Sequence, residues 1–226
     1  MKKPIKYGLL GFGLNAIGHW LELRLIPGLR GRAKLVCVFD PSPTAHESMK
    51  KRLGSEVKIA SSFEDFLDTD LDAVIVSSPP QYHADQVVAS LEAGKHVFSE
   101  VPMAIKKGDV QRIMIAEEIS GKKYQFVENY CFLPEVLYAG HLSSTRKIGP
   151  TLYAESEYLH DVTYRWRQGN KGGPDTPRIN SWYSLFDPLA YAHSIGPAQI
   201  ALGGLKSPKQ FSEVSSYSNS IGAIEK

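Results

Sequence analysis

The chain has 226 residues, 42% of them hydrophobic, and a formal net charge of +2, which is ordinary for a globular protein of one large or two modest domains. The near-neutral balance excludes a nucleic-acid surface built on bulk charge, and the lysine pairs Lys2-Lys3, Lys50-Lys51, Lys106-Lys107 and Lys122-Lys123 are scattered, as solvated helix ends are. No apolar run reaches membrane-spanning length, no signal peptide precedes the first apolar run, and two unclustered cysteines and seven histidines without ligand spacing predict a soluble cytoplasmic protein with no disulfide framework and no metal site.

Ile5 to Leu10 is a short apolar run that predicts a strand. Gly11-Phe12-Gly13-Leu14-Asn15-Ala16 follows, with small residues at the three positions of the dinucleotide turn G-x-G-x-x-G/A. In that motif the first glycine makes the turn, the second lets backbone approach a pyrophosphate, and the third small residue keeps the helix near the sheet. The helix N-terminus offers unpaired N–H groups to phosphate oxygens. An ordinary tight strand–helix turn would read the same way, so the context decides. A helix is expected from about Leu14 to Ile26, ending before Pro27-Gly28. Lys34 to Phe39 is a near-continuous apolar strand of the kind buried on both faces. It ends at Asp40, whose carboxylate can accept from the hydroxyls of a ribose. A 2′-phosphate there would meet a like charge with no arginine beside it, so NAD is expected over NADP.

Helices are expected over about Pro43 to Leu53, in a short segment capped by Ser62, and from Tyr82 to Ala93. Strands are expected at Val57 to Ala60, Asp72 to Ser77 and His96 to Phe98. This alternation predicts an α/β, doubly wound parallel sheet, in which ligands sit at the carboxyl ends of the strands. Asp40, Ser77-Ser78-Pro79-Pro80 and Glu100 all fall at such ends. A helix over Lys106 to Gly121 and a strand over Tyr124 to Val127 follow. Pro134 to Arg146 is expected to be helical. Leu152 to His160 alternates and is expected to open a second sheet. The polar stretch from Thr163 to Asn180, rich in glycine, reads as a long loop of the functional kind. A last helix is expected from about Leu185 or Leu189 to Leu202, and Gln210 to Tyr217 could be one more strand.

Three stretches together resemble the glucose–fructose oxidoreductase, inositol dehydrogenase and rhizopine catabolism family. They are the Gly11 turn with Asp40, Ser77-Ser78-Pro79-Pro80-Gln81-Tyr82-His83, and Ala93-Gly94-Lys95-His96-Val97-Phe98-Ser99-Glu100-Val101-Pro102. The likeness continues through Val127-Glu128-Asn129-Tyr130 and Lys147-Ile148-Gly149 to Tyr153. The resemblance implies an NAD-binding half, here residues 1–122. It also implies an α+β half, here 123–226, with an open, mostly antiparallel sheet that carries the substrate site and pairs copies into a homo-oligomer. Family members run on for several more strands, so the second half is expected to be truncated or unusually short. The cofactor contacts implied are Gly11, Phe12, Gly13, Leu14, Asn15, Ala16, Asp40, Ser77, Ser78, Pro79, His83, Glu100, Val101, Pro102 and Asn129. His83 would either line the nicotinamide pocket or orient the helix that carries it.

The chain departs from the family pattern at instructive places. Hydride-transferring members carry Glu-Lys-Pro, whose lysine moves the proton on the substrate hydroxyl, whereas the middle residue here is Val101, which cannot exchange a proton. Those members also place an aspartate four residues before a histidine, and before His193 that position is Leu189. His193 could serve as general base or only pack under the cofactor. Glu128, Tyr158 and His193 match a branch that includes NAD-dependent α-N-acetylgalactosaminidases, which are implied to oxidise a sugar transiently and cleave it by elimination. That branch has a tyrosine three residues before its histidine. Here the position is Ala190, and Tyr191 lies one place on, a rotation of about 100° on a helix.

Glu128, Tyr158 and His193 are therefore the candidate catalytic residues. Aromatic side chains can stack on the C–H faces of sugars or simply fill a core. Trp166, Trp182 and Tyr191, around the polar loop, are the candidates for contact with a carbohydrate-like substrate. Three readings follow from the sequence. The first is an NAD-dependent oxidoreductase of a sugar or cyclic polyol, the second a redox-assisted glycosidase or lyase, and the third a non-catalytic binder of NAD or another ligand.

Overall fold

The computed structural model describes residues 3–13, 15–20, 31–159 and 193–203, together with 213 and 215. The chain divides into two compact units, Met1–Val127 and Glu128–Lys226.

The first unit is built on six strands: β1 (Ile5–Leu10), β2 (Ala33–Phe39), β3 (Lys58–Ile59), β4 (Ala73–Val76), β5 (His96–Ser99) and β6 (Tyr124–Phe126). Their spatial order is β3-β2-β1-β4-β5-β6 and every described pairing is parallel. This is the doubly wound order, with its switch point between β1 and β4, where the chain first winds one way from the centre and then the other. The helices between the strands are α1 (Pro43–Arg52), α2 (Phe63–Leu67), α3 (His83–Glu92) and α4 (Lys107–Ser120).

Both sheet faces are covered, which is why the strands read as unbroken apolar runs. Leu9, Val38 and Ile75 point to one face and pack with Met49 of α1 and with Ala16. Leu10, Val74, Val76 and Val97 point to the other and pack with Phe66, Val87, Leu91 and Ile113 from α2, α3 and α4. Burial of each such side chain is worth about 1.5–3 kcal/mol, so these two layers hold the strand ends, and the loops that leave them, in register. β6 pairs with β5 through Val97, Phe98 and Ser99. The first unit runs on through Val127.

The expected helix after the glycine turn is described only over Ala16–Trp20, where it is a π-helical turn. The wider π ring is a feature often found beside functional sites. The remainder of that expected helix, and Leu14, lie outside the described residues.

The second unit contains α5 (Pro134–Ser144) and α6 (Ile195–Ala201). They touch closely at Gly140, where a Cβ would lie 2.8 Å from the carbonyl oxygen of Ile200. Pro197 sits in the first turn of α6, where its missing N–H leaves no gap in the helix. The strand expected over Leu152 to His160 is not formed in its described part, residues 152–159. Leu152 and Leu159 are 91% and 89% exposed. Alternation makes a strand only where a partner supplies the ladder, and no strand of the second unit is described. The expected loop at Thr163 to Asn180 and the expected strand at Gln210 to Tyr217 lie outside the described residues, apart from 213 and 215.

Candidate functional site

The dinucleotide turn is pinned at both sides. Gly11 N–H donates to Phe39 O (2.8 Å), which ties the end of β1 to the end of β2. Gly11 has φ +85°, and a Cβ on it would lie 2.7 Å from both Ser77 O and Ser78 N. Only glycine fits, because the conformation is left-handed and the backbone after β4 fills the side-chain space. Asp40 stands at the end of β2. Its Oδ2 accepts from Phe12 N–H (2.8 Å) and its Oδ1 from Ser42 N–H (2.9 Å). His46 Nε2 lies 2.6 Å from Asp40 O and braces the same corner from α1. A carboxylate offers about four lone-pair positions, so Asp40 keeps capacity for a ribose diol while the turn holds it in place. Ser77 Oγ is buried and has no hydrogen-bond partner among the described residues, as is expected of a group that completes its bonding with a bound ligand. These features fit a dinucleotide: the filled cradle at Gly11, the held carboxylate and the unsatisfied hydroxyl.

His83, the first residue of α3, is fully buried. Its Nδ1 lies 2.7 Å from Pro102 O and its Nε2 2.9 Å from Ser78 O. The ring is thus spent on the backbone of the loops after β4 and β5. Of the two roles the sequence leaves open, the geometry supports orientation rather than lining a pocket. Burial pushes the imidazole below its ordinary range, against the two carbonyls and Glu100, which pull it up. Ser78 Oγ donates to Gln86 Oε1 (2.6 Å), adding a second tie from the same loop to α3. Glu100 and Pro102 are buried and Val101 half-buried, while Pro79 is exposed. Gly13 and Asn15 are half-buried and Ala16 is buried beneath the turn.

The second unit gathers the candidate acid–base residues. Glu128 opens it and caps the short 3₁₀ helix Asn129–Phe132, its Oε1 accepting from Tyr130 N–H (3.1 Å). His193, just before α6, places Nδ1 2.8 Å from both Glu128 carboxylate oxygens, and both side chains are buried. A carboxylate only accepts, so Nδ1 carries the hydrogen, and the lone pair of the neutral ring resides on Nε2. The carboxylate thereby fixes the orientation and the tautomer of the ring. Two tyrosines flank the ring. Tyr130 lies 4.6 Å from His193 between centroids, Tyr158 lies 4.7 Å away, and the two tyrosines meet edge to face at 5.3 Å. Beside them the Cys131 thiol is pushed up to about 11 by burial and then by Glu128, so it stays protonated and does not act as a nucleophile at neutral pH.

The structure therefore brings Glu128, Tyr158 and His193 together. Tyr130 completes the cluster. It is not among the candidate residues that the sequence singles out, and its place directly after Glu128-Asn129 is the available signal. Asn129 is exposed. Trp166, Trp182, Tyr191 and the Leu189 and Ala190 positions lie outside the described residues. Among the described residues no group of three or more His, Cys, Asp or Glu is arranged to hold a metal ion.

A family profile described as an oxidoreductase family with an NAD-binding Rossmann fold matches residues 5–128. The alpha-N-acetylgalactosaminidase of Shewanella oneidensis is 25% identical over 206 residues, covering 85% of this chain and 43% of its own. The inositol 2-dehydrogenase of Salmonella paratyphi B is 31% identical over 120 residues, 53% of this chain and 35% of the relative. A crystal structure of scyllo-inositol dehydrogenase from Lactobacillus casei, with bound NAD(H) and scyllo-inositol, is similar at a TM-score of 0.56 and 29% identity, covering 65% of this chain and 43% of that one. The chain spans less than half the length of these relatives. The profile match, the strand order, and the Gly11–Asp40 turn agree, and the chain belongs to the glucose–fructose oxidoreductase, inositol dehydrogenase and rhizopine catabolism family of NAD-binding Rossmann proteins.

Proposed function

We propose that the protein is an NAD-dependent oxidoreductase acting on a sugar or cyclic polyol, with the first unit holding NAD and the second handling substrate and proton. One observation carries this reading: the buried Glu128–His193 pair holds an imidazole with its lone pair on Nε2, in a chain whose other half is an NAD-binding fold. Bound NAD would supply the hydride acceptor for an alcohol carbon. Gly11, Gly13 and Ala16 would receive the pyrophosphate, Asp40 the adenosine ribose, and the loops at Ser77-Ser78 and Glu100-Val101-Pro102 the nicotinamide end. His193 would accept the hydroxyl proton at Nε2 while Glu128 stabilises the charge that develops on the ring. The absence of a lysine at Val101 leaves that work to His193.

A second reading is favoured by the tyrosines packed on His193. A hydroxyl at Tyr158 beside a paired imidazole supplies a second proton-transfer group, as an oxidation–elimination–reduction cycle on a glycoside requires. Incubation with NAD and a panel of inositols, hexoses and N-acetylhexosaminides, in D2O, separates the two. Net NADH absorbance supports the oxidoreductase. Cleavage with deuterium at the carbon next to the oxidised one, and no net NADH, supports the glycosidase. NAD binding without either would leave a non-catalytic binder.

The two unclustered cysteines support a cytoplasmic location, and no helix among the described residues is long and apolar enough to cross a membrane. The exposed Leu152, Tyr153 and Leu159 support association of copies through the second unit, which light scattering of the purified protein would measure.

A further inference from the structure

Three loops bear on the cofactor site: the glycine turn after β1, Ser77-Ser78-Pro79 after β4, and Glu100-Val101-Pro102 after β5. The first two are locked by contact, since the space a side chain at Gly11 would need is filled by Ser77 O and Ser78 N. The second and third lie on neighbouring parallel strands, whose ladder ends at Val76–Ser99. Beyond that point Glu100 N–H donates once more to Val76 O (2.9 Å), and the backbones then need another link to stay in register. That link is His83. Its two ring nitrogens reach the carbonyls of Ser78 and Pro102 at 2.9 and 2.7 Å, in a fully buried position. One side chain from the start of α3 thus joins the loop that abuts the glycine turn to the loop that carries Val101.

We propose that His83 is a positioning residue for NAD: it clamps the loops after β4 and β5 through Ser78 O and Pro102 O, so that the three loops present one preformed surface to the dinucleotide. The proposal rests on the NAD reading of the first unit. The clamp works through N–H donors rather than through ring volume. A neutral imidazole donates to one carbonyl at a time, and a glutamine amide, with two N–H donors on one nitrogen, can take over part of that work. A phenyl ring fills similar space and donates nothing, leaving the carbonyl that the imidazole serves without its donor.

Calorimetry with NAD on the full chain tests this, comparing the parent with His83→Gln and His83→Phe, each checked for cooperative unfolding. His83→Phe is expected to bind NAD about tenfold more weakly or worse, the equivalent of one lost buried hydrogen bond, and His83→Gln to stay within about threefold of the parent. Parent-like affinity in the Phe variant, or equal losses in both variants, overturns the clamp. Hydrogen exchange of the unsubstituted protein gives an answer even if a variant fails to fold. On adding NAD, the amides of 77–83 and 99–103 should gain protection together, and protection confined to one loop would sink the proposal. A parent that binds no NAD would instead remove the cofactor reading itself, which distinguishes the two failures.

Discussion

Single side chains decide what the second unit can do. Glu128 is bound three ways, to Tyr130 N–H and through both oxygens to His193 Nδ1, so its carboxylate is both an anchor and the counter-charge for the ring. Glu128→Gln keeps the shape but replaces one accepting oxygen with an N–H2 that faces the ring. The imidazole then loses its counter-charge, and the tautomer with its lone pair on Nε2 is no longer enforced. The expected result is a fall in kcat of about 10²–10³-fold with little change in NAD affinity, read by NADH formation and calorimetry on the same preparation. An equal loss of NAD affinity would place Glu128 in cofactor binding instead. Cys131 offers a second check at this scale. Because its thiol is held up to about 11, alkylation by iodoacetamide should stay slow at pH 8 and speed up only as the pH approaches that value.

Among the elements, α2 is the shortest α-helix described in the first unit, and a side chain caps its N-terminus. Ser62 caps it, accepting from Asp65 N–H (3.1 Å), and the Asp65 carboxylate reaches back to Ser61 N–H (2.9 Å) and Oγ and pairs with Lys58 of β3. Phe66 of this helix is buried against the sheet, so loosening the cap loosens one core layer. Ser62→Ala should cost about 1 kcal/mol in urea unfolding, the usual cost of a lost cap.

The pH dependence follows from the same corner and from His83. The Lys58 and Ser61 bonds hold Asp65 down from its ordinary 3.8 to about 2. Its contribution is therefore whole above about pH 4 and lost as the pH falls towards 2. Burial lowers His83 from its ordinary 6.5, so the unfolded chain takes up that proton first and stability also falls as the pH drops below 6.5. Both act in one direction: the unfolding midpoint should decline in two stages on acidification. A midpoint that rose between pH 7 and 5 would contradict the account of His83.

For the molecule as a whole, the first unit carries both core clusters found among the described residues, with a layer of helices on each face of the sheet. A ligand that binds only the folded state stabilises it by RT ln(1 + [L]/Kd), about 2.7 kcal/mol at a hundredfold excess over Kd. NAD is therefore expected to raise the thermal midpoint of the first unit by several degrees. NADP should raise it less, because a 2′-phosphate meets the Asp40 carboxylate. Asp40→Ala should remove most of the NAD effect, and an undiminished shift would show that the ribose is held elsewhere.

The plan of the first unit is legible in the chain alone. Unbroken apolar runs require a sheet covered on both faces, small residues at 11, 13 and 16 require a close turn, and an acidic residue closes the second strand. All of these are local properties of the chain, legible without neighbours. The role of His83 was not legible, because it depends on two carbonyls 5 and 19 residues away that only the packed strand ends bring within reach of one ring. The Glu128–His193 pair was legible as two residues but not as a pair, since 65 residues separate them and the bond exists only once the second unit has folded. The alternation over Leu152 to His160 marks the limit in the other direction. Periodicity states which side chains could share a face, and only a neighbouring strand, which is a tertiary fact, turns that possibility into a sheet.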